Sequence, residues 1–156
     1  MVRLVPMTED EFASFKEHSL ASFVAGKTAA EYFDEQAARA IGERTFSGLL
    51  PQGIATPGQH LVAIEEEVSG ERVGLLWFGV ADQGAGPLAY VFDGLIFEPH
   101  RRRGLASASL AALEAAAKTA GARQIALQLF GGNEAARALF ARCGFSVTDV
   151  MLAKSL

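Results

Sequence analysis

The chain has 156 residues, of which 50% are hydrophobic and 21% charged, and its formal net charge is −4. This apolar content excludes an intrinsically disordered protein, and charged residues interrupt every apolar run before it reaches the roughly 20 residues that span a bilayer. The length predicts a single domain over residues 1–156, which buries roughly 70% of the surface of its unfolded chain. The acidic balance argues against a general attraction to nucleic acid.

Cysteine and histidine are too sparse for a disulfide framework or a local zinc signature. Cys143 is the one cysteine, and His18, His60 and His100 lie far apart in the sequence, so we predict no metal cofactor. Residues 1–7 carry one positive charge and are followed by acidic residues, which leaves no apolar stretch of the kind found in a signal peptide. We therefore expect a cytoplasmic protein without a membrane partner.

The first half of the chain predicts one strand, two helices and a loop. Residues 2–7 have strand character, and residues 8–11 (Thr-Glu-Asp-Glu) form a capping box that opens a helix ending near Leu20. A second capping box at residues 28–31 predicts the start of another helix. The proline and glycine content of residues 51–59 predicts a loop.

The second half predicts an antiparallel meander followed by alternating helices and strands. The three β-rich runs are residues 61–68, 72–80 and 88–97. After them we predict a helix over about 102–120, a strand over 124–130, a helix over 133–143 and a strand over 145–152. The order is therefore β-α-α-β-β-β-α-β-α-β in a mixed α/β sheet, in which a strand, helix, strand succession implies a parallel pair.

A basic turn that contains glycine joins the third strand of the meander to the next helix. Its sequence is Glu98-Pro99-His100-Arg101-Arg102-Arg103-Gly104-Leu105-Ala106-Ser107. The first N–H groups of a helix lack internal partners and lie at the positive end of its dipole, so such a turn binds anions, phosphates above all. Gly104 and Ala106 keep bulk away, Ser107 offers a hydroxyl, and the arginines neutralise charge. A solvated surface cluster is the alternative.

This turn resembles the signature of the GNAT N-acetyltransferase superfamily, Arg/Gln-x-x-Gly-x-Gly/Ala, at Arg101, Gly104 and Ala106. A second match covers residues 127–145, which are similar to the family's strand, its Asn-x-x-Ala-x-x-Leu-Tyr-x-x-x-Gly-Phe helix and its next strand. The resemblance implies a GNAT-like fold, with a central, mixed, mostly antiparallel sheet of six to seven strands and about four helices.

The resemblance also implies a function, that of an acetyl-CoA-dependent N-acetyltransferase. Such an enzyme transfers the acetyl group to a primary amine directly, in a ternary complex. The turn would hold the pyrophosphate of acetyl-CoA, and the strand before it would lie along the pantetheine arm. The residues implied for cofactor binding are Leu95, Ile96, Phe97, Arg101, Arg102, Arg103, Gly104, Leu105, Ala106, Ser107, Asn133, Ala136 and Phe140.

Two departures from the family pattern concern proton transfer. Relatives often carry a glutamate base where this chain has Leu95 and a tyrosine acid where it has Phe140. Asp93 precedes Leu95 by two positions, and strand alternation places both on one face. Asp93 is therefore the first candidate for a catalytic base, while an ordinary polar residue at a bulge beside Gly94 is an equal alternative. Glu98 is a weaker candidate for the base.

Two other functions stay open. A non-catalytic acyl-CoA-binding module would account for the missing glutamate and tyrosine. A contact of Arg101 to Arg103 with nucleic acid is the weakest hypothesis, because no aromatic residue is interleaved with them. The acceptor is equally open among a small amine, an aminoglycoside, an amino acid, a polyamine and a protein N-terminus. A homodimer is one alternative for the oligomeric state.

Overall fold

The computed structural model describes residues 1–30 and 33–156 and contains one five-stranded sheet with helices on both faces. The elements in chain order are β1 (Val2–Pro6), α1 (Glu9–Ala29), α2 (Glu35–Leu49), β2 (Gln59–Glu66), β3 (Arg72–Asp82), β4 (Pro87–Ile96), α3 (Leu105–Thr119), β5 (Gln124–Leu127) and α4 (Glu134–Arg142). Within the described residues, no helix combines the length and the apolar character needed to cross a membrane.

The sheet confirms the predicted mixed topology. Its strand order is β1-β2-β3-β4-β5, with antiparallel pairing throughout except between β4 and β5, which are parallel. Because α3 connects these two parallel strands, the pair forms the crossover unit that the sequence order predicts.

The prediction of six to seven strands is wrong, because the sheet has five and the last predicted strand is absent. Residues 145–152 form no strand in this structure, and the apolar side chains of Val147, Val150, Met151 and Leu152 are exposed. The helix before this segment also lies at the surface, since α4 has no buried residue. Alternating apolar residues stabilise a strand only when a neighbouring strand completes the hydrogen bonds and a core covers one face.

The boundary between the first two helices also differs from the prediction. The helix predicted to end near Leu20 continues to Ala29, so Thr28 lies inside it and does not cap the next one. Instead, α2 begins after Asp34, whose carboxylate accepts a hydrogen bond from the Ala37 N–H at 2.8 Å. Glu31, the last residue of the predicted capping box, lies outside the described residues. Proline is absent from residues 21–29, so no residue there forces the first helix to end.

Two hydrophobic cores flank the sheet. Trp77 and Phe78 are neighbours on β3 and point to opposite faces, where they are 3% and 2% exposed. The Phe78 core lies under α3 and includes Leu113, whereas the Trp77 core lies under α1 and α2 and includes Phe15 and Phe46. Both faces of the central strands are therefore covered, and β4 lies between the two helical layers.

Candidate active site

A bulge in β4 opens the sheet between β4 and β5. Trp77 pairs with Asp93 and Phe78 pairs with Val91, so that Phe92 is an extra residue in β4. The parallel ladder to β5 ends at the pair of Val91 and Leu127. Beyond Val91, the side of β4 that faces β5 has no strand partner in the described part of the chain. An extended ligand can therefore form backbone hydrogen bonds with this unpaired segment of β4.

The turn after β4 points a group of free N–H donors outward. Gly104 precedes α3 with a φ of 78°, and Arg102 is also left-handed with a φ of 63°. Left-handed residues in a turn orient successive N–H groups to one side, which creates a concave anion site. The N–H groups of Leu105, Ala106 and Ser107 have no hydrogen-bond acceptor among residues 1–30 and 33–156. The turn at residues 101–107, which we call the phosphate turn, therefore has the backbone geometry that an anion site requires.

The three arginines of the turn have different environments. Arg101 Nε donates to the carbonyl oxygen of Ile96 at 3.1 Å, at the end of β4. Arg103 contacts Glu66 Oε1 at 3.0 Å and the ring Nδ1 of His100 at 3.1 Å. Arg102 is exposed and takes part in no ion pair within the described residues. Two of the three guanidinium groups thus also hold the turn to the sheet, while Arg102 has its charge available to a ligand.

The strand residues predicted to follow the pantetheine arm alternate between the two cores. Leu95 and Phe97 pack on the core beneath α1 and α2, and Ile96 packs on the core beneath α3. Their side chains are thus partly buried in the protein. What this segment can offer a ligand beside the sheet is chiefly its backbone, which is how an added strand is recognised.

Asp93 is held in place from two directions. The hydroxyl of Ser19 on α1 donates to Asp93 Oδ2, and the N–H of Gly94 donates to Oδ1 at 2.7 Å. The register places Asp93 opposite Trp77 and Leu95 opposite Leu75, on the face that α1 and α2 cover. Asp93 therefore adjoins the bulge, as the second interpretation expects, and its role as a base stays a prediction.

Three of the predicted cofactor contacts, Asn133, Ala136 and Phe140, belong to α4 and its N-cap. Asn133 caps this helix by accepting a hydrogen bond from the Ala136 N–H at 3.2 Å. The ring of Phe140 meets Phe145 edge to face, with 5.2 Å between their centroids. In the described residues, no hydrogen bond or ion pair joins α4 to β4 or to the phosphate turn. The capping role of Asn133 is confirmed, and the contacts of these residues with a cofactor stay a prediction.

Several residues near the bulge were not predicted from the sequence. Ser19 is 4% exposed, and no local motif links it to Asp93. The loop after β5 reaches α1 through Phe130, whose ring leaves no room for a side chain at Gly26. Tyr90 contacts Phe92 with 4.9 Å between ring centroids, and burial raises the pKa of its phenol. A glycine inside a helix, such as Gly26 in α1, is the one sequence signal for a close approach like that of Phe130.

Metal ligands are not clustered at this site. Across residues 1–30 and 33–156, no group of three or more histidine, cysteine, aspartate or glutamate side chains has the arrangement of a metal site. The chemistry available here consists of backbone donors, one fixed carboxylate and an open strand edge.

Comparison with known proteins identifies similar chains of nearly the same length. Residues 13–145 match the family described as "Acetyltransferase (GNAT) family". The chain is 32% identical over 155 residues to the uncharacterized N-acetyltransferase YycN of Bacillus subtilis (strain 168), covering 99% of each protein. It is 28% identical over 153 residues to the uncharacterized N-acetyltransferase YdgE of the same organism, covering 98% of this chain and 97% of YdgE.

Solved structures share the architecture. The crystal structure of the putative acetyltransferase YycN from Bacillus subtilis matches with a TM-score of 0.91 over 100% of this chain and 99% of that chain. The structure of AAC(6')-Iy in complex with the bisubstrate analog CoA-S-monomethyl-acetylneamine matches with a TM-score of 0.60 and 15% identity, over 100% of this chain and 98% of that one. The second likeness shows the fold alone.

Proposed function

The chain belongs to the GNAT family of acetyltransferases, and on that premise we propose that it transfers the acetyl group of acetyl-CoA to a primary amine, directly and in a ternary complex. The observation that supports this most is the first turn of α3, whose N–H groups are free, next to the open edge of β4. A pyrophosphate and an extended amide-containing arm need these two features together.

The residues present fit acetyl-CoA. The N–H groups of Leu105, Ala106 and Ser107 would hold the pyrophosphate, and an ideal Cβ at Gly104 would have no atom within 4 Å, so the space beside the turn is open. The backbone of residues 95–97 would pair with the pantetheine arm. When bound, acetyl-CoA supplies an acyl group activated as a thioester. AAC(6')-Iy, which shares the fold, has been solved with a CoA-based bisubstrate analog, in agreement with this proposal.

The acceptor amine must lose a proton before it reacts. An amine with a pKa near 10.4 is almost fully protonated at pH 7, and deprotonation costs roughly 4.6 kcal/mol. Asp93 or a water molecule accepts this proton. The carboxylate of Asp93 uses two acceptor positions for Ser19 and Gly94, and its other lone pairs remain for the amine. Because Phe140 has no proton to donate, the thiolate leaves with help from water, another side chain or the substrate.

A non-catalytic acyl-CoA-binding module is the second candidate. It is favoured by Leu95 and Phe140, which stand where many relatives carry proton-transfer groups. Both candidates predict the same cofactor site and differ only in turnover.

The experiment that separates them has two stages. Thermal-shift screening with acetyl-CoA, and then with amines in its presence, identifies ligands because a ligand that binds the folded state raises its apparent stability. A thiol-release assay then measures turnover over the same amines, which include aminoglycosides, amino acids, polyamines and peptide N-termini. Release of CoA that depends on one amine supports the transferase. Binding of acetyl-CoA without turnover of any amine supports the binding module instead.

A further inference from the structure

The hydroxyl group of Ser19 is the contact through which α1 reaches Asp93. We propose that Ser19 is a positioning residue, which holds the carboxylate of Asp93 in the orientation that accepts the proton of the acceptor amine. This inference rests on the proposed function, since it assumes that Asp93 is the base. Ser19 itself would touch neither the amine nor acetyl-CoA.

The hydrogen bond of Ser19 differs from those of other hydroxyl groups on these helices. Serine and threonine within a helix commonly donate to the carbonyl oxygen four residues earlier. Ser109, Thr45 and Thr119 do so, at 2.7, 2.9 and 3.0 Å respectively. Ser19 donates instead to Asp93 on β4, 74 positions away in the sequence. The buried hydroxyl of Ser19 thus donates to a carboxylate on another element, although a carbonyl oxygen of its own helix could accept this hydrogen bond.

The surroundings of Ser19 make this contact rigid. Phe15, one turn before Ser19, and Leu20, directly after it, are 0% and 2% exposed, so α1 cannot rotate without exposing them. On the other side, the Gly94 N–H fixes the second oxygen of Asp93 at 2.7 Å. The plane of the carboxylate is therefore set by one donor from the helical layer and one from the strand itself, beside the bulge.

The proton transfer defines what this orientation must achieve. An N–H bond of the acceptor ammonium breaks, an O–H bond forms on Asp93, and the freed lone pair on nitrogen is available for attack on the acyl carbon. A proton acceptor works only within hydrogen-bond reach of the proton that it takes. Without Ser19, the carboxylate would rotate away from this geometry while remaining on the same strand.

The test is a double-mutant cycle on an amine that the wild-type protein acetylates. We expect Ser19→Ala to lower kcat about tenfold, which is the size of effect that follows from losing one hydrogen bond to a charged group. The KM for acetyl-CoA should stay unchanged, because Ser19 does not contact it. In the Asp93→Asn background, Ser19→Ala should change kcat less than twofold, since no base remains to be oriented.

Two further variants separate positioning from a structural role. Ser109→Ala removes an equally buried serine from α3 and should leave kcat unchanged, while Ser19→Thr keeps the hydroxyl and should restore most of the activity. The inference would be overturned if the fold-loss of kcat in the double variant equalled the product of the losses in Ser19→Ala and Asp93→Asn. It would also be overturned if Ser19→Ala kept the wild-type kcat. Neither result would contradict the proposed transferase activity. Full activity of Asp93→Asn would overturn both the base and its positioning residue. A wild-type protein that binds acetyl-CoA and acetylates no amine would refute the proposed function itself.

Discussion

Helices α1 and α3 each follow a strand, and their first turns have opposite chemistry. At the start of α1, Thr8 and Glu11 form a reciprocal capping box, with acidic residues at positions 9, 10 and 11. At the start of α3, Gly104 provides no side-chain cap, the first turn has no acid, and three arginines precede it. Side chains thus accept hydrogen bonds from the N–H groups of Thr8 and Glu11 at the start of α1, whereas no side chain caps the start of α3.

Under the proposed function, the first turn of α1 serves stability and the first turn of α3 serves binding. A capped N-terminus stabilises the fold by roughly 1 kcal/mol, and an uncapped one forgoes this stabilisation. Variants that exchange the properties of the two turns should therefore move stability and acetyl-CoA affinity independently.

The largest effect is expected at Gly104. Gly104→Leu should weaken acetyl-CoA binding at least tenfold in calorimetry, because a side chain would obstruct N–H groups that each contribute about 1.5 to 3 kcal/mol when bonded to a charged group. The matched control is Gly121→Leu, since Gly121 also has a positive φ, 87°, and open space around its Cβ position. Gly121→Leu strains the backbone to a similar degree, but position 121 follows α3, so this variant should leave the affinity for acetyl-CoA unchanged. Equal losses in the two variants would mean that strain alone is responsible.

A smaller effect, with opposite signs for stability and binding, is expected at Ser107. This residue is exposed in the first turn of α3. Ser107→Glu gives α3 the acidic first turn of α1, and should raise the free energy of unfolding by about 0.3 to 1 kcal/mol through the helix dipole. The same charge repels the pyrophosphate, so we expect acetyl-CoA affinity to fall several-fold. Urea unfolding and calorimetry measure the two quantities, with Ser107→Gln as the uncharged control. Unchanged affinity in the glutamate variant would contradict an anion site here.

The smallest effect on binding is expected at α1. Thr8→Ala removes the cap and should lower the free energy of unfolding by about 1 kcal/mol, measured by urea unfolding, with acetyl-CoA affinity unchanged. Thr28→Ala is the matched control, because Thr28 is exposed within α1 and caps no helix. It should stay within about 0.5 kcal/mol of wild type. A loss of stability in Thr28→Ala as large as that in Thr8→Ala would indicate that Thr28 caps a helix, and would contradict its position inside α1.

Local sequence signals predicted most of the fold and the phosphate turn. The capping box at Thr8, the meander of β2 to β4 and the glycine before α3 each depend on a few adjacent residues, and all of them are present. The second capping box, at Thr28, failed because the first helix meets no breaker there and Asp34 supplies a better start for the next one. The strand predicted over residues 145–152 failed because alternation describes a strand's faces without supplying a partner for its backbone.

The sequence by itself determined the order of elements from β1 to α4 and the position of the basic turn before α3, since these depend on interactions within one element or one turn. Only the tertiary structure decided which side chains meet at the site. Ser19 reaches Asp93 across 74 positions, Arg103 pairs with Glu66 across 37, and the free edge of β4 begins where its pairing with β5 ends at Val91, next to the bulge. Such contacts follow from how helices pack on a twisted sheet, and no run of neighbouring residues encodes them.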